Sequence, residues 1–443
     1  MEENYKSLAE DIIQTSLSKG ADFSDIVIAK NISKNVGCRL GNLEEIEQSE
    51  TQILGLRTFI GKRNSIISTN NFSKDSISQS IDRVISMTKL APEDSLISLA
   101  NHTIKKIPDL DLFDNHDIEL DELKDIALKT EDASLKTNGI TNSNGASSSQ
   151  SKTSFYLSTS NGFSGGYNKS NFSISCSSIA GDELKMQTDY DYDSKVFFKD
   201  LKKPSEIGQQ AAENTISKCN PKKIKTCNSD IVFDPRVSRS LLAHFSSLIN
   251  GTSIARGSSF LSEKMGNKIF NKEINIIDDP FIKRGMGSKP FDDEGCEMEK
   301  LNIVENGSLN SWILDTTTAK QLGLKSNNRA SRGMSSPPSP SSTNMYIENG
   351  HNSVDDIINN ITDGFYVTDL IGQGVNLITG NYSRGAGGFK ITKGKITFPI
   401  NEVTIAGNLK NMFERMIVAN DLKFKYAMNS PTILIEGMKI AGI

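Results

Sequence analysis

Residues 364–389, GFYVTDLIGQGVNLITGNYSRGAGGF, gather seven glycines around one cation, Arg384. Glycine admits positive φ and lets another chain come close, so a glycine cluster beside an arginine can suit a peptide backbone or a phosphate. The same pattern serves as tight turns in an antiparallel sheet, the favoured reading of these residues alone. GQG and RGAGG lack the Lys-Ser/Thr of a phosphate-binding loop, and no strand–GxGxxG–helix unit occurs. No GxSxG elbow singles out a nucleophile, although a Ser/His/Asp arrangement stays open in so serine-rich a chain. In DYDYD, Asp189, Asp191 and Asp193 share one strand face and could hold a hard cation. A solvated acidic face with Tyr190 and Tyr192 packed inward is favoured. FDDEG at 291–295 reads as an acidic turn. The five cysteines are dispersed, and Cys219 and Cys227 lack further donors at ligand spacing, which points to reduced core thiols.

These groups need a scaffold, and 443 residues with 36% apolar and 23% charged side chains suggest two or three globular domains. A net charge of −4 argues against a nucleic-acid partner, and Lys222, Lys223 and Lys225 read as a solvated linker. The opening MEENYKSLAEDIIQ has no apolar core of a signal peptide, and no stretch is long and apolar enough for a membrane span. A cytoplasmic protein without a membrane partner is expected.

The patterning is α+β, with no alternating βαβ units. Leu8, Ile12 and Ile13 recur at helical spacing over 5–19, and a second helix is expected over 73–90 with Ser73 as N-cap. Between them DIVIA, VGCRL, EEIEQSE and ILGLRTFIG read as an antiparallel meander. Region 95–150 is weakly patterned and ends in TNSNGASSSQS, which has the look of a linker. Beyond it, 151–200 is β-rich: Phe172, Ile174 and Cys176 alternate with serines as a half-buried strand requires. A helix over 206–219 closes an N-terminal α+β domain, 1–225. The second domain, 226–443, reads as mainly antiparallel β with a few helices. It opens with the strand SDIVF and a helix over 234–250, where Asp234 caps, Pro235 starts, and Val237, Leu241, Phe245, Leu248 and Ile249 form one face. Further helices are expected over 316–322 and 408–418, and the Pro/Ser run 334–343 has linker composition.

Several stretches together resemble the TldD/PmbA family, the modulators of DNA gyrase. They are GLRTFIGKR from residue 55, SIARGSSFLSEKMGNKIF at 253–270, PFDDEG at 290–295, WILDTTTAKQLG at 312–323, RGMSSPPSPSSTNMYIENG at 332–350 and TILIEGMKIAG at 432–442. They run in order over nearly the whole chain, densest after residue 230, and their wording is similar to the PmbA (TldE) branch. The resemblance implies a cytosolic complex of two homologous subunits acting as a zinc protease on unstructured peptides. In it the TldD subunit carries an HExxxH helix and a distant C-terminal Cys, the two His holding zinc while the Glu activates water.

The four histidines here, His102, His116, His244 and His351, are followed by Thr, Asp, Phe and Asn, so neither HExxH nor HExxxH occurs. No cysteine follows Cys296, and helix 234–250 offers only His244, at the edge of its apolar stripe, where a buried, hydrogen-bonded or interface role is expected. The resemblance therefore implies a subunit with no catalytic or metal residues of its own and no bound cofactor, inert alone, with zinc on an HExxxH-bearing TldD-like partner. In such a dimer Arg256, Arg384, Gly385 and Gly387 are candidate residues of a peptide channel, against a salt-bridge role for each arginine. A homodimeric peptide-binding scaffold, a gyrase-modulating partner and an enzyme with another nucleophile are the alternatives. The Pro/Ser run is expected to be ordered, because the flanking blocks match without gaps.

Overall fold

The computed structural model describes residues 2–102, 106–182 and 185–442. Its first half is one antiparallel sheet of six strands in the order β3-β2-β1-β4-β5-β6. These are β1 (Phe23–Arg39), β2 (Asn42–Ile60), β3 (Arg63–Thr69), β4 (Ile140–Thr159), β5 (Ser164–Ala180) and β6 (Gln187–Lys195). The four short strands of the expected meander are halves of β1 and β2, which pair along their full length with one register shift at Gly37.

Four helices cover one face of this sheet. Helix α1 (Glu2–Ser18) buries Tyr5, Ala9, Ile12 and Ile13, and Gly20 follows with a φ of 101°. Helix α2 (Lys74–Leu90) is capped by Ser73, whose Oγ accepts from Ser76 N at 3.3 Å. Both pack on Ile26, Ile28, Leu54 and Leu56. Helices α3 (Leu120–Leu135) and α4 (Pro204–Ser217) cover the other end, where Ala127, Ile207 and Ala211 meet Cys38, Ala146, Ile174 and Cys176. Strand alternation sends Val27 to the opposite face, against Phe163 and Phe291.

Three local expectations are corrected. Helix α3 lies in the weakly patterned region, of which 103–105 fall outside the described residues. TNSNGASSSQS belongs to the central strand β4, hydrogen-bonded to β1 and β5 on its two sides. Its small polar side chains are satisfied inside: Gln150 Oε1 accepts from Ile118 N at 2.7 Å and its Nε2 donates to Asp117 at 2.6 Å. The expected helix over 408–418 ends at Glu414, and Met416–Val418 is a strand.

The second half is built on a closed barrel. Strands β7 (Cys227–Phe233), β14 (Asp363–Ile371), β15 (Asn381–Thr392), β16 (Lys395–Asn408) and β19 (Ile433–Ala441) hydrogen-bond in the order β16-β15-β14-β7-β19, and β16 pairs again with β19. Strand β17 (Met416–Val418) extends β19, and only the β7–β14 pairing within this sheet is parallel. Helix α5 (Pro235–Leu248) leaves β7 directly and buries Val237, Leu241, Phe245 and Leu248 with Phe233, Phe365 and Ile433. A second sheet, β10-β9-β8-β13-β18, comprises β8 (Ile276–Asp278), β9 (Leu301–Glu305), β10 (Ser308–Leu309), β13 (Met345–Ile347) and β18 (Met428–Asn429). Short helices α6 (Gly251–Ala255), α7 (Thr316–Gln321), α8 (Val354–Asn359) and α9 (Leu409–Glu414) link these strands.

The Pro/Ser run is part of the fold. Strand β11 (Ala330–Ser331) pairs with β12 (Ser339–Pro340), and Pro340 O accepts from Asn250 Nδ2 at 2.8 Å. Between them the Met334 carbonyl lies on Gly55 of β2, where a Cβ would sit 2.1 Å from it. Only glycine permits that approach. No described helix is long and apolar enough to cross a membrane.

Candidate functional site

The residues with chemical potential assemble in two places, a cavity beside α5 and a buried polar cluster between the two halves. Asp234 accepts from Arg236 N at 2.9 Å and from the Tyr366 hydroxyl at 2.7 Å, which caps α5 and fixes its start. With one face in the core, the helix turns Arg236, Arg239, Ser240 and Ala243 toward a cavity of about 850 Å³. The other walls come from β6, from residues 368–371 of β14, from Arg384, Gly387 and Gly388 of β15, from 399–401 of β16 and from 426–428.

The glycines of β15 shape this wall. The ladder shifts register at Thr368 and again between Ala386 and Gly388, which bows the strand away from its neighbours. A Cβ on Gly388 would lie 2.0 Å from Tyr366 O, so that residue is dictated by backbone approach. Gly385 faces Ile371 across the ladder and does not line the cavity, whereas Gly387 does. Arg256 stands elsewhere: it ends α6, is exposed, and borders a separate cleft of about 300 Å³ with Asp315 and Pro338. The structure thus brings Arg384 and Gly387 together and leaves Arg256 apart.

Lys218, Arg236 and Arg239 were not singled out in the sequence, and Asp189 was, but only as one of three aligned carboxylates. The legible signal was the polar stripe Arg236–Arg239/Ser240–Ala243 at helical spacing opposite the apolar face. Asp189 overturns the expected solvated acidic face. It and Asp193 are buried, and Tyr190, expected inside, is 44% exposed. Arg236 binds Asp189 through two nitrogens, at 2.7 and 3.2 Å, and Lys218 adds a contact at 2.8 Å. Burial alone would raise the Asp189 carboxyl, but these cations hold it below its usual value. Lys218 also reaches Asp369 at 2.6 Å.

Behind Arg384, the His244 ring lies edge-on to Tyr382, 6.2 Å between centroids. Burial, then the Arg384 charge, push His244 below its ordinary value, so it is held neutral. Of the buried, hydrogen-bonded or interface roles expected for it, burial is the one seen at Nε2, which has no hydrogen-bond partner. Zinc, which the family resemblance implies for one subunit, does not fit here. Helix α5 has no carboxylate or thiolate beside that single imidazole, and a guanidinium within electrostatic range opposes a dication. Among the described residues no group of three or more His, Cys, Asp or Glu has metal-binding placement.

In the second place, Asp25 of β1 accepts from Arg57 Nε at 2.7 Å and from Arg332 Nη1 at 2.5 Å. FDDEG packs beside it as a buried turn. Asp292 accepts from the backbone N–H of Glu294, Cys296 and Ala330, at 3.1, 2.8 and 3.2 Å. Asp293 accepts from Arg332 N, and Glu294 from Thr316 N and Oγ1. Burial raises both Asp292 and Glu294, each further opposed by a neighbouring carboxylate. With its carboxylates buried and each of them engaged, this cluster is a joint.

Three family models match successive stretches: PmbA/TldA metallopeptidase domain 1 over residues 24–88, the central domain over 113–218 and the C-terminal domain over 226–442. The metalloprotease PmbA homolog of Haemophilus influenzae is 31% identical over 445 residues, covering 100% of this chain and 97% of that one. A crystal structure from Bacteroides thetaiotaomicron, described as a candidate modulator of DNA gyrase, superposes with a TM-score of 0.92 at 27% identity over 100% of both chains. TldE from Thermococcus kodakarensis shares the fold, with a TM-score of 0.88 at 21% identity over 98% of this chain and 100% of that one.

Proposed function

This chain belongs to the PmbA/TldD metallopeptidase family, and on that premise we propose that it is a PmbA (TldE)-type subunit that handles peptides for a zinc-bearing, TldD-like partner. The observation that carries the reading is the donor set of α5. Its polar face offers one imidazole, unpaired and beside Arg384, where a zinc peptidase helix needs two His and a general base. The subunit contributes shape and polar contacts instead: a large cavity beside that helix and an open strand edge. Strand β3 pairs with β2 only over Leu54–Ile60, so residues 42–53 have no strand partner on that side among the described residues. Such an edge suits addition of an extended chain through main-chain hydrogen bonds. The site of action is the cytoplasm in this reading.

The test is co-expression with an HExxxH-bearing homologue from the same genome, followed by co-purification, zinc analysis and peptide-cleavage assays. The expected product is a heterodimer that holds zinc and cleaves unstructured peptides, while this chain alone is zinc-free and inert. Stoichiometric zinc in the isolated chain, or proteolysis by it, overturns the proposal.

A further inference from the structure

The cavity beside α5 has more cations than its own acids neutralise. Lys218 and Arg236 are matched by Asp189 and Asp369. Arg239 and Arg384 have no carboxylate within ion-pair distance among the described residues. Arg239 lies 4.2 Å from the Tyr426 ring centre and donates Nε–H to Arg236 O at 3.2 Å. Arg384 makes one long hydrogen bond, to Ser240 Oγ at 3.5 Å, lies within interaction range of the neutral Tyr382 hydroxyl, and its Nε is buried without an acceptor. Nothing behind it supplies an anion: His244 is held neutral, and burial pushes the Tyr382 phenol up to about 12. A guanidinium with unused donors calls for a planar oxyanion. The neighbouring wall is apolar, formed by Val237, Leu370, Ile371 and Ile400, with Ile371 67% exposed at the rim. A large, half-apolar cavity lined by two cations without a carboxylate partner suits a carboxylate attached to an apolar body.

We propose that this cavity is a carboxylate site that takes the free C-terminal end of an extended apolar peptide. Arg384 and Arg239 hold the α-carboxylate, and Leu370 and Ile371 receive the last side chains. This rests on the reading of the chain as a peptide-handling subunit, and it adds which end of the peptide is held, and by what.

The probe is a fluorescein-labelled unstructured peptide ending in two leucines, as the free acid and as the C-terminal amide, titrated by anisotropy against the full-length chain. Amidation weakens binding by about tenfold in the wild-type protein, the usual size of a charge-assisted contact. In Arg384→Gln the acid loses about the same factor and the amide is nearly unaffected, while Arg384→Lys restores part of the loss. Arg239→Gln, read beside the thermal midpoint of each variant, provides a second probe if Arg384→Gln folds poorly. Equal binding of acid and amide overturns the carboxylate site and leaves peptide handling intact. Binding of neither form overturns both. Displacement of the acid by equimolar inorganic phosphate also overturns it, since the site would then be one for phosphate.

Discussion

Asp25 shows how much one side chain can join. It is fully buried and binds two arginines, Arg57 from 32 residues away and Arg332 from 307 away. Replacing it by Asn leaves two guanidiniums in the joint without a counter-charge, and removal of one partner from a buried ion pair typically costs about 3–5 kcal/mol. Urea unfolding of Asp25→Asn is expected to show a loss of that size, and a loss below about 1 kcal/mol would contradict the role given to the pair. At this scale local pattern misled as often as it helped. DYDYD has the alternation of an acidic outer face, yet Arg236 and Lys218 draw Asp189 inward. The preference of a carboxylate for water is reversed only where cations meet it.

Elements were more legible, because caps and periodicity are local. The Asp-Pro start and apolar stripe of α5, the Ser73 cap of α2 and the alternation around Phe172 all appear in the structure as the residues require. Strand β4 was not legible, since its serines and asparagines have low strand propensity and only two flanking strands make it one. Helix α3 was missed although Leu123, Ala127 and Thr130, which it buries, recur at helical spacing; two of its inward positions are the polar Thr130 and Glu131, which blur the apolar stripe. For α5 a prediction follows from the cap: Asp234→Ala removes the acceptor for Arg236 N and for the Tyr366 hydroxyl. A stability loss of about 1–2 kcal/mol is expected by chemical denaturation. An unchanged midpoint would show that Pro235 alone sets the helix start.

In the whole molecule, the joint between the halves explains why four of the six family blocks lie where they do. GLRTFIGKR supplies Gly55 and Arg57, PFDDEG the buried turn, WILDTTTAKQLG the Thr316 that binds Glu294, and the RGM block Arg332 and Met334. Blocks scattered over some 300 residues of chain meet at one surface. Buried carboxylates in this joint and beside α5 make stability depend on pH in two opposite ways. Asp292 and Glu294 ionise less readily when folded, so the folded state binds more protons than the unfolded chain above the ordinary carboxylate range of about 4. Their contribution is complete below that range and is lost as pH rises through the folded values. Asp25 and Asp189 are lowered, so theirs is complete above the ordinary range and is lost as pH falls through their folded values. Unfolding free energy is therefore expected to decline from mildly acid toward alkaline pH, and Glu294→Gln to flatten that decline. A profile that rises with pH, or one identical in Glu294→Gln, would contradict the assignment.

By itself the sequence determined the family, the α+β class, the capped helices and the lack of an HExxxH helix, because motifs and caps are contiguous and carry their own geometry. Only the tertiary structure decided which polar groups are inside and which cations are left unpaired. Arg239 and Arg384 lie far apart along the chain and stand on the wall of one cavity. Whether a carboxylate such as Asp189 or Asp369 neutralises a cation there is set by strand register and helix placement, not by any neighbour in sequence. Long-range charge pairing leaves no local pattern, so the glycine-flanked Arg384 is conspicuous in the chain, while the reason it is free to bind lies in the fold.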